Sequence, residues 1–215
     1  MPWWAHLGIK QLRIIPRSCF FYVHTIFKYL KEEWNKFIAN KMTMKKYCLL
    51  LSILFFSIYS EAQTPEENLK SLGITLPKQS SPIANYVNYV RTGNLIYFSG
   101  TGPSVEEQGY VKGKLGKDLT IDQGRDAARI TGINMIANLK NAIGDLNKVK
   151  RIVKVLGMVN STESFTDQPK VINGFSDLMV AVFGEKGKHA RSAVGMMALP
   201  LNMAVEIEMI VEVED

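Results

Sequence analysis

The stretch from His189 to Glu214, HARSAVGMMALPLNMAVEIEMIVEVE, constrains the fold more than any other part of this chain. Its last residues alternate. Val205, Ile207, Met209, Val211 and Val213 share one face, and Glu206, Glu208, Glu212 and Glu214 share the other, with Ile210 the one apolar residue among them. A period of two over this length specifies a strand with one face on a core and the other on water. The strand before it reads as buried and almost uncharged, with Arg191 at its mouth, and Leu199-Pro200-Leu201-Asn202 turns the chain between the two. A guanidinium beside an apolar strand calls for a carboxylate, from the protein or from a bound acid, because its planar fork matches two carboxylate oxygens. If the two strands pair as a simple hairpin, Ala198 opposite Ala204, Arg191 faces residue 211 and Glu206 lies roughly 16 Å away along the strand. The two side chains then meet only through sheet curvature, a different pairing or a subunit interface.

The 215 residues suffice for one domain of ordinary size and an appendage. The net charge of +6 suggests a nucleic-acid partner until it is located. Nine of the 26 Lys and Arg and three of the 20 Asp and Glu precede residue 63, so residues 63–215 carry 17 of each sign. A formally neutral domain lacks the field of a phosphate-tracking surface, which argues against nucleic acid. Cys19, Cys48 and all three tryptophans also precede residue 63. The later domain therefore has no disulfide framework, no thiolate nucleophile and no Cys-based metal site. Its one histidine, His189, is too little for a His-rich metal site.

Residues 44–62 read MKKYCLLLSILFFSIYSEA: a basic start at Lys45 and Lys46, an apolar run from Leu49 to Tyr59, and small residues at Ser60 and Ala62 before Gln63. That is a secretory signal-peptide pattern, too short for a span of about 20 apolar residues. The expectation is an exported protein, periplasmic or secreted, with no stable membrane anchor after cleavage. Translation then starts at Met44 or Met42, and residues 1–43 belong to an over-extended reading frame. The other reading keeps an uncleaved anchor with a cytoplasmic extension.

Residues 63–80 are polar, contain Pro65 and Pro77, and read as a lead-in to a domain over 81–215. Strands over Tyr89–Arg91 and Leu95–Phe98 flank Thr92-Gly93-Asn94, a hairpin signal. Gly109 to Gly116 fits a third, short strand. Thr120-Ile121-Asp122-Gln123 is a capping box, and the helix behind it stripes Ala128, Gly132, Met135, Leu139, Ala142 and Leu146. Lys148 to Val159 reads as a strand with Val149, Val153, Val155 and Val159 on one face. A second helix over about Gln168 to Phe183 stripes Ile172, Phe175, Met179 and Val182, with Gly184 as its C-terminal cap. The order is βββαβαββ: an α+β domain in which one mixed sheet carries two helices on one face and turns the other to water or another subunit.

Along that order the chain resembles the reactive intermediate deaminase family, RidA or YjgF. The resemblance covers roughly Ser81 to Val213 and rests on Pro82 with Tyr86, Ser99-Gly100, Asn173, Ala190-Arg191-Ser192, Leu199-Pro200 and Val205-Glu206-Ile207-Glu208. The spacing from arginine to Leu-Pro to Glu-Ile-Glu is the specific part. Ser99-Gly100-Thr101-Gly102-Pro103, with Gly195 and Met196 after the arginine, departs from the best-known branch and looks like a glycine-containing side branch. The resemblance implies a chorismate mutase-like fold, a homotrimer with sites between subunits, and hydrolysis of an imine to a 2-oxo acid and ammonia without a cofactor. It further implies that Arg191 binds the carboxylate of a 2-imino acid, that Glu206 handles the water, and that Tyr86, Gly100, Asn173 and Ala193 line the pocket.

Residue chemistry permits these roles. Arg191 can anchor an acid, Glu206 can orient or deprotonate water, and Tyr86 and Asn173 can exchange hydrogen bonds. Plainer roles stand beside them: Arg191 paired to a protein acid, Glu206 solvated, Tyr86 at the core edge, Asn173 serving a local cap, and His189 on a surface loop. The glycines of 100–116 are no phosphate loop, because no Gly-Lys-Ser/Thr opens a helix after them. Two alternatives to the deaminase remain: a non-catalytic trimer binding small acids through Arg191, and the endoribonuclease role attached to some relatives.

Overall fold

A computed structural model describes residues 26–36, 63–78, 85–105 and 108–214. Contacts divide the chain into two units, Met1–Glu61 and Ala62–Asp215. In the first, residues 26–36 form a helix with Phe27, Tyr29, Leu30 and Trp34 exposed. The expected signal segment lies outside the described residues. No described helix is long and apolar enough to cross a membrane.

The second unit begins with α1 (Pro65–Ser71), where the polar composition conceals a helix closed by a capping box between Thr64 and Glu67. Leu69 packs into the core and Asn68 donates to the Val182 carbonyl at 2.8 Å. Strands β1 (Tyr89–Thr92) and β2 (Leu95–Thr101) form the expected hairpin, with Gly93 at φ 57° in its turn. The third strand is shorter than the glycine spacing suggests. β3 (Ser104–Val105) and β4 (Gly109–Tyr110) make a separate two-stranded ribbon.

Helix α2 (Ile121–Ile143) starts at the Thr120–Gln123 capping box and stops at Gly144, φ 77°. Ala128, Gly132, Met135 and Leu139 are buried on one face, and Leu146 is buried in the turn beyond the helix. Strand β5 (Val149–Asn160) buries Val149, Ile152, Val155, Gly157 and Val159. Val153 is not on that face as the sequence suggests, because irregularities at Val149–Arg151 and Ile152–Lys154 break the alternation. Helix α3 (Gln168–Phe183) buries Ile172, Phe175, Met179 and Val182 as expected. Gly157 lets it close on the sheet: a Cβ there would come within 2.6 Å of the Ile172 side chain.

The last two strands, β6 (Ala190–Met196) and β7 (Val205–Val213), do not pair with each other. The main sheet runs β1-β2-β7-β5-β6, mixed, with β5 parallel to β6 and antiparallel to β7. The Leu199–Asn202 turn does not close a hairpin; it carries the chain across the end of β5. Leu201 and Asn202 sit at φ 54° and 58°, and Asn160 of β5 bonds to both Ala204 and Asn202 on the way. β6 is an edge strand, with Val194, Gly195 and Met196 exposed, so it is not buried as its composition implies.

Both long helices pack on one side of this sheet. Ile207, Met209, Val211 and Val213 face them and are fully or almost fully buried. Each such side chain contributes roughly 1.5–3 kcal/mol by leaving water. The fold is α+β, one mixed main sheet with helices on one face.

Candidate functional site

Arg191 opens β6 level with Val155 of β5 and points to the helix side. Its Nη1 donates to Asn173 Oδ1 at 2.9 Å and to Ser176 Oγ at 3.0 Å, both on α3. Residues three apart on a helix share a face, which is why Asn173 and Ser176 reach one guanidinium. No described carboxylate forms a salt bridge with Arg191. Ala193, two residues along the same face, is half-buried and packs against the core. His189 is a half-buried part of this group rather than a surface-loop residue: its Nε2 lies 3.0 Å from Ser176 Oγ and its Nδ1 2.7 Å from the Gly187 carbonyl. Burial and the Arg191 charge push its ionisation below the ordinary histidine range, against a raising contribution from the Gly187 bond.

Glu206 lies elsewhere. It is level with Met158 and Val194, three residues from the Arg191 level, and β5 stands between the two strands. That is roughly 10 Å along the strands and roughly 10 Å across them. The alternation of β7 also turns Glu206 away from the helices, onto the bare face of the sheet. The hairpin reading, which set Arg191 opposite residue 211, is replaced by a level at Met209 two strands away. Burial, then the neighbouring charge of Glu208, raises the Glu206 carboxyl above its ordinary range.

Gly100 shares the bare face with Glu206. A Cβ at Gly100 would collide with the Glu206 carboxylate, so the absent side chain is the room that carboxylate occupies. Tyr86 is 55% exposed, and the backbone just after it is tied to the same region: Ser99 Oγ donates to the Val87 carbonyl at 2.7 Å. The six sequence-predicted residues thus fall into two groups. Arg191, Asn173 and Ala193 line the seam between α3 and the β6 edge; Glu206, Gly100 and Tyr86 lie toward the bare sheet face. Asn173 serves Arg191 and not a cap.

Ser176 and His189 were missed at the level of sequence. The i,i+3 spacing of Asn173 and Ser176 was the available signal, but two small polar residues on a helix announce nothing until an arginine is known to face them. Among the described residues, no group of three or more His, Cys, Asp or Glu is placed to hold a metal ion.

Residues 66–213 match the family described as "YjgF/chorismate mutase-like, putative endoribonuclease". The chain is 45% identical over 149 residues to protein TCP17 of Trypanosoma cruzi, covering 69% of this chain and 93% of that one. It is 34% identical over 142 residues to a 2-iminobutanoate/2-iminopropanoate deaminase of Dermatophagoides farinae, covering 66% and 95%. A crystal structure of a protein of unknown function from Agrobacterium tumefaciens is 43% identical and superposes with a TM-score of 0.65, covering 70% of this chain and 94% of that one.

Proposed function

The chain belongs to the YjgF/RidA family, and we propose that it hydrolyses 2-imino acids, and the enamines that tautomerise to them, to 2-oxo acids and ammonia between the subunits of a homotrimer. The observation that carries this reading is the guanidinium of Arg191. Its Nη1 is held by Asn173 and Ser176, while no described carboxylate lies on the Nε–Nη2 edge. That edge is the fork to which a carboxylate binds with two parallel hydrogen bonds.

A substrate carboxylate seated there fixes the adjacent imine carbon. The substrate reacts as the protonated imine: water adds to that carbon, the C=N electron pair moves onto the nitrogen, and Glu206 takes the proton the water loses. The tetrahedral carbon then bears hydroxyl and amino groups. Glu206 returns its proton to the nitrogen, the C–N bond breaks, and ammonia leaves as the hydroxyl proton passes to the Glu206 carboxylate, giving the 2-oxo acid. The elevated carboxyl of Glu206 suits both transfers, since a stronger base accepts the water proton more readily.

One protomer cannot bring the two groups together, because Arg191 and Glu206 point from opposite faces of one sheet. A second copy that sets its bare face against the β6 edge closes the site. Exposed Val194 and Met196, with the unpaired backbone of an edge strand, are what such a contact would cover. Export directed by residues 44–62 belongs to the same reading, with a mature first residue near Gln63 as the expected result of N-terminal sequencing.

The decisive experiment adds the purified protein to imines generated in place by an amino-acid oxidase, beside the Arg191→Ala variant. Faster 2-oxo acid release by wild type alone is expected. Hydrolysis no faster than in buffer for every imine tried would put the non-catalytic acid-binding trimer ahead. A monomeric mass in solution would remove the shared site.

A further inference from the structure

We propose that His189 and Ser176 form a positioning relay that decides which edge of the Arg191 guanidinium is offered to the ligand. This rests on the reading of Arg191 as the carboxylate anchor.

The direction of every hydrogen bond in the cluster is forced. The Gly187 carbonyl only accepts, so His189 Nδ1 at 2.7 Å carries a proton and donates it. In the neutral ring Nε2 is then an acceptor. Ser176 Oγ, 3.0 Å away, must donate its single hydrogen to it. The serine oxygen has only lone pairs left, and Arg191 Nη1 donates into one at 3.0 Å. Asn173 Oδ1 takes the other Nη1 hydrogen at 2.9 Å. Both Nη1 hydrogens are thereby committed, which leaves the Nε–Nη2 edge for the ligand. Were the ring flipped or its tautomer exchanged, the serine hydroxyl could rotate and donate elsewhere, and the guanidinium would be free to swing.

The surroundings favour the neutral ring. Arg191 is the charge that faces it from β6. Glu185 and Lys188, in the loop before it, pair with each other at 2.7 Å. From α3 the ring meets Ser176 and the edge of Phe175, while Asp177 is paired to Arg125 at 2.7 Å. On β5, Val155 is apolar and Lys154 bonds Ser192 at 2.8 Å. An anion on Arg191 cancels the guanidinium field, so occupancy of the anchor raises the His189 pKa.

The test measures binding of 2-oxobutanoate and turnover of the matching imine, on purified wild type and five variants whose folding is checked by thermal melting. Ser176→Ala and His189→Leu should each weaken 2-oxobutanoate about tenfold, the scale of one well-placed hydrogen bond. KM should rise with kcat nearly unchanged. The double variant should lose no more than either single one, because both break the same relay. His189→Gln, whose side-chain oxygen can accept the serine hydroxyl, should recover most of the affinity. In wild type, 2-oxobutanoate should raise the NMR-titrated pKa of His189; in Arg191→Gln it should not. Wild-type affinity in Ser176→Ala and His189→Leu, losses that add, or a His189→Gln as weak as His189→Leu would each overturn the relay while leaving the anchor in place. Undiminished 2-oxobutanoate binding by Arg191→Gln would instead overturn the anchor itself.

Discussion

Arg191 is gripped by two side chains of α3, whereas Glu206, on the opposite face of the same sheet, forms no hydrogen bond or ion pair with any described residue. One half of the site is pre-aimed; the other is left unpaired. The difference follows from the work each would do. An anchor gains from being rigid before the ligand arrives, because little freedom is then lost on binding. A base loses by being paired: an opposite charge within about 4–6 Å lowers a carboxyl by 1–3 pKa units and weakens it as a proton acceptor. Placing the two on opposite faces of one sheet prevents that internal salt bridge; under the proposed function a second copy brings them together.

The largest effect expected on this contrast is from Arg191→Ala. Loss of a partly buried, bidentate charge contact should cut kcat/KM by about 10²–10³-fold, mostly through KM. Arg191→Lys should recover only part, since an ammonium cannot make the fork. Steady-state kinetics on in-place imines measures both. An Arg191→Ala enzyme that keeps its KM would break the comparison outright.

Next comes the other half. Glu206→Gln should lower kcat by about 10²-fold, the usual scale for a general base, with KM little changed. Gly100→Ala should act in the same direction more weakly, about tenfold, because its new methyl group displaces the Glu206 carboxylate without removing it. Equal losses in KM and kcat would show that Glu206 binds rather than reacts.

Gly174→Ala separates the halves mechanically. Its Cβ would meet the Arg125 backbone carbonyl, so α3 must back away from α2 at a cost of about 1–3 kcal/mol in urea unfolding. Asn173 and Ser176 ride on α3, so KM should rise several-fold, and kcat, set by Glu206 on β7, should hold.

The smallest effect is a shift of pH profile. Glu206 is raised by burial and by Glu208, and only its ionised form accepts a proton from water. Activity should therefore fall with decreasing pH through a value above the ordinary carboxyl range. Glu208→Gln removes the like charge and should move that acid limb to lower pH. An acid limb that stays in place would assign it to another group.

Much of the fold was legible because the signals are local. The Thr120–Gln123 box, the α3 stripe with its Gly184 stop, and the alternation of β7 each depend on residues within a few positions of one another. The polar α1 was missed although Thr64-Pro65-Glu66-Glu67 carries the same local start signal, since a seven-residue helix with one buried leucine has no apolar stripe to confirm it. Neither was the exposure of β6: small apolar residues on an edge read the same as small apolar residues inside a sheet.

By itself the sequence determined the order of the two long helices and the main-sheet strands, the helix-facing and bare faces of β7, and the residue types a carboxylate site requires. The tertiary structure alone decided that β5 lies between β6 and β7, that Arg191 and Glu206 diverge, and that Ser176 and His189 join the arginine. The physical reason is range. Periodicity and capping are settled over one or two turns of chain, while a strand's neighbours are chosen by the free energy of the whole sheet, where a short Leu-Pro turn can close a hairpin or step across the end of a third strand.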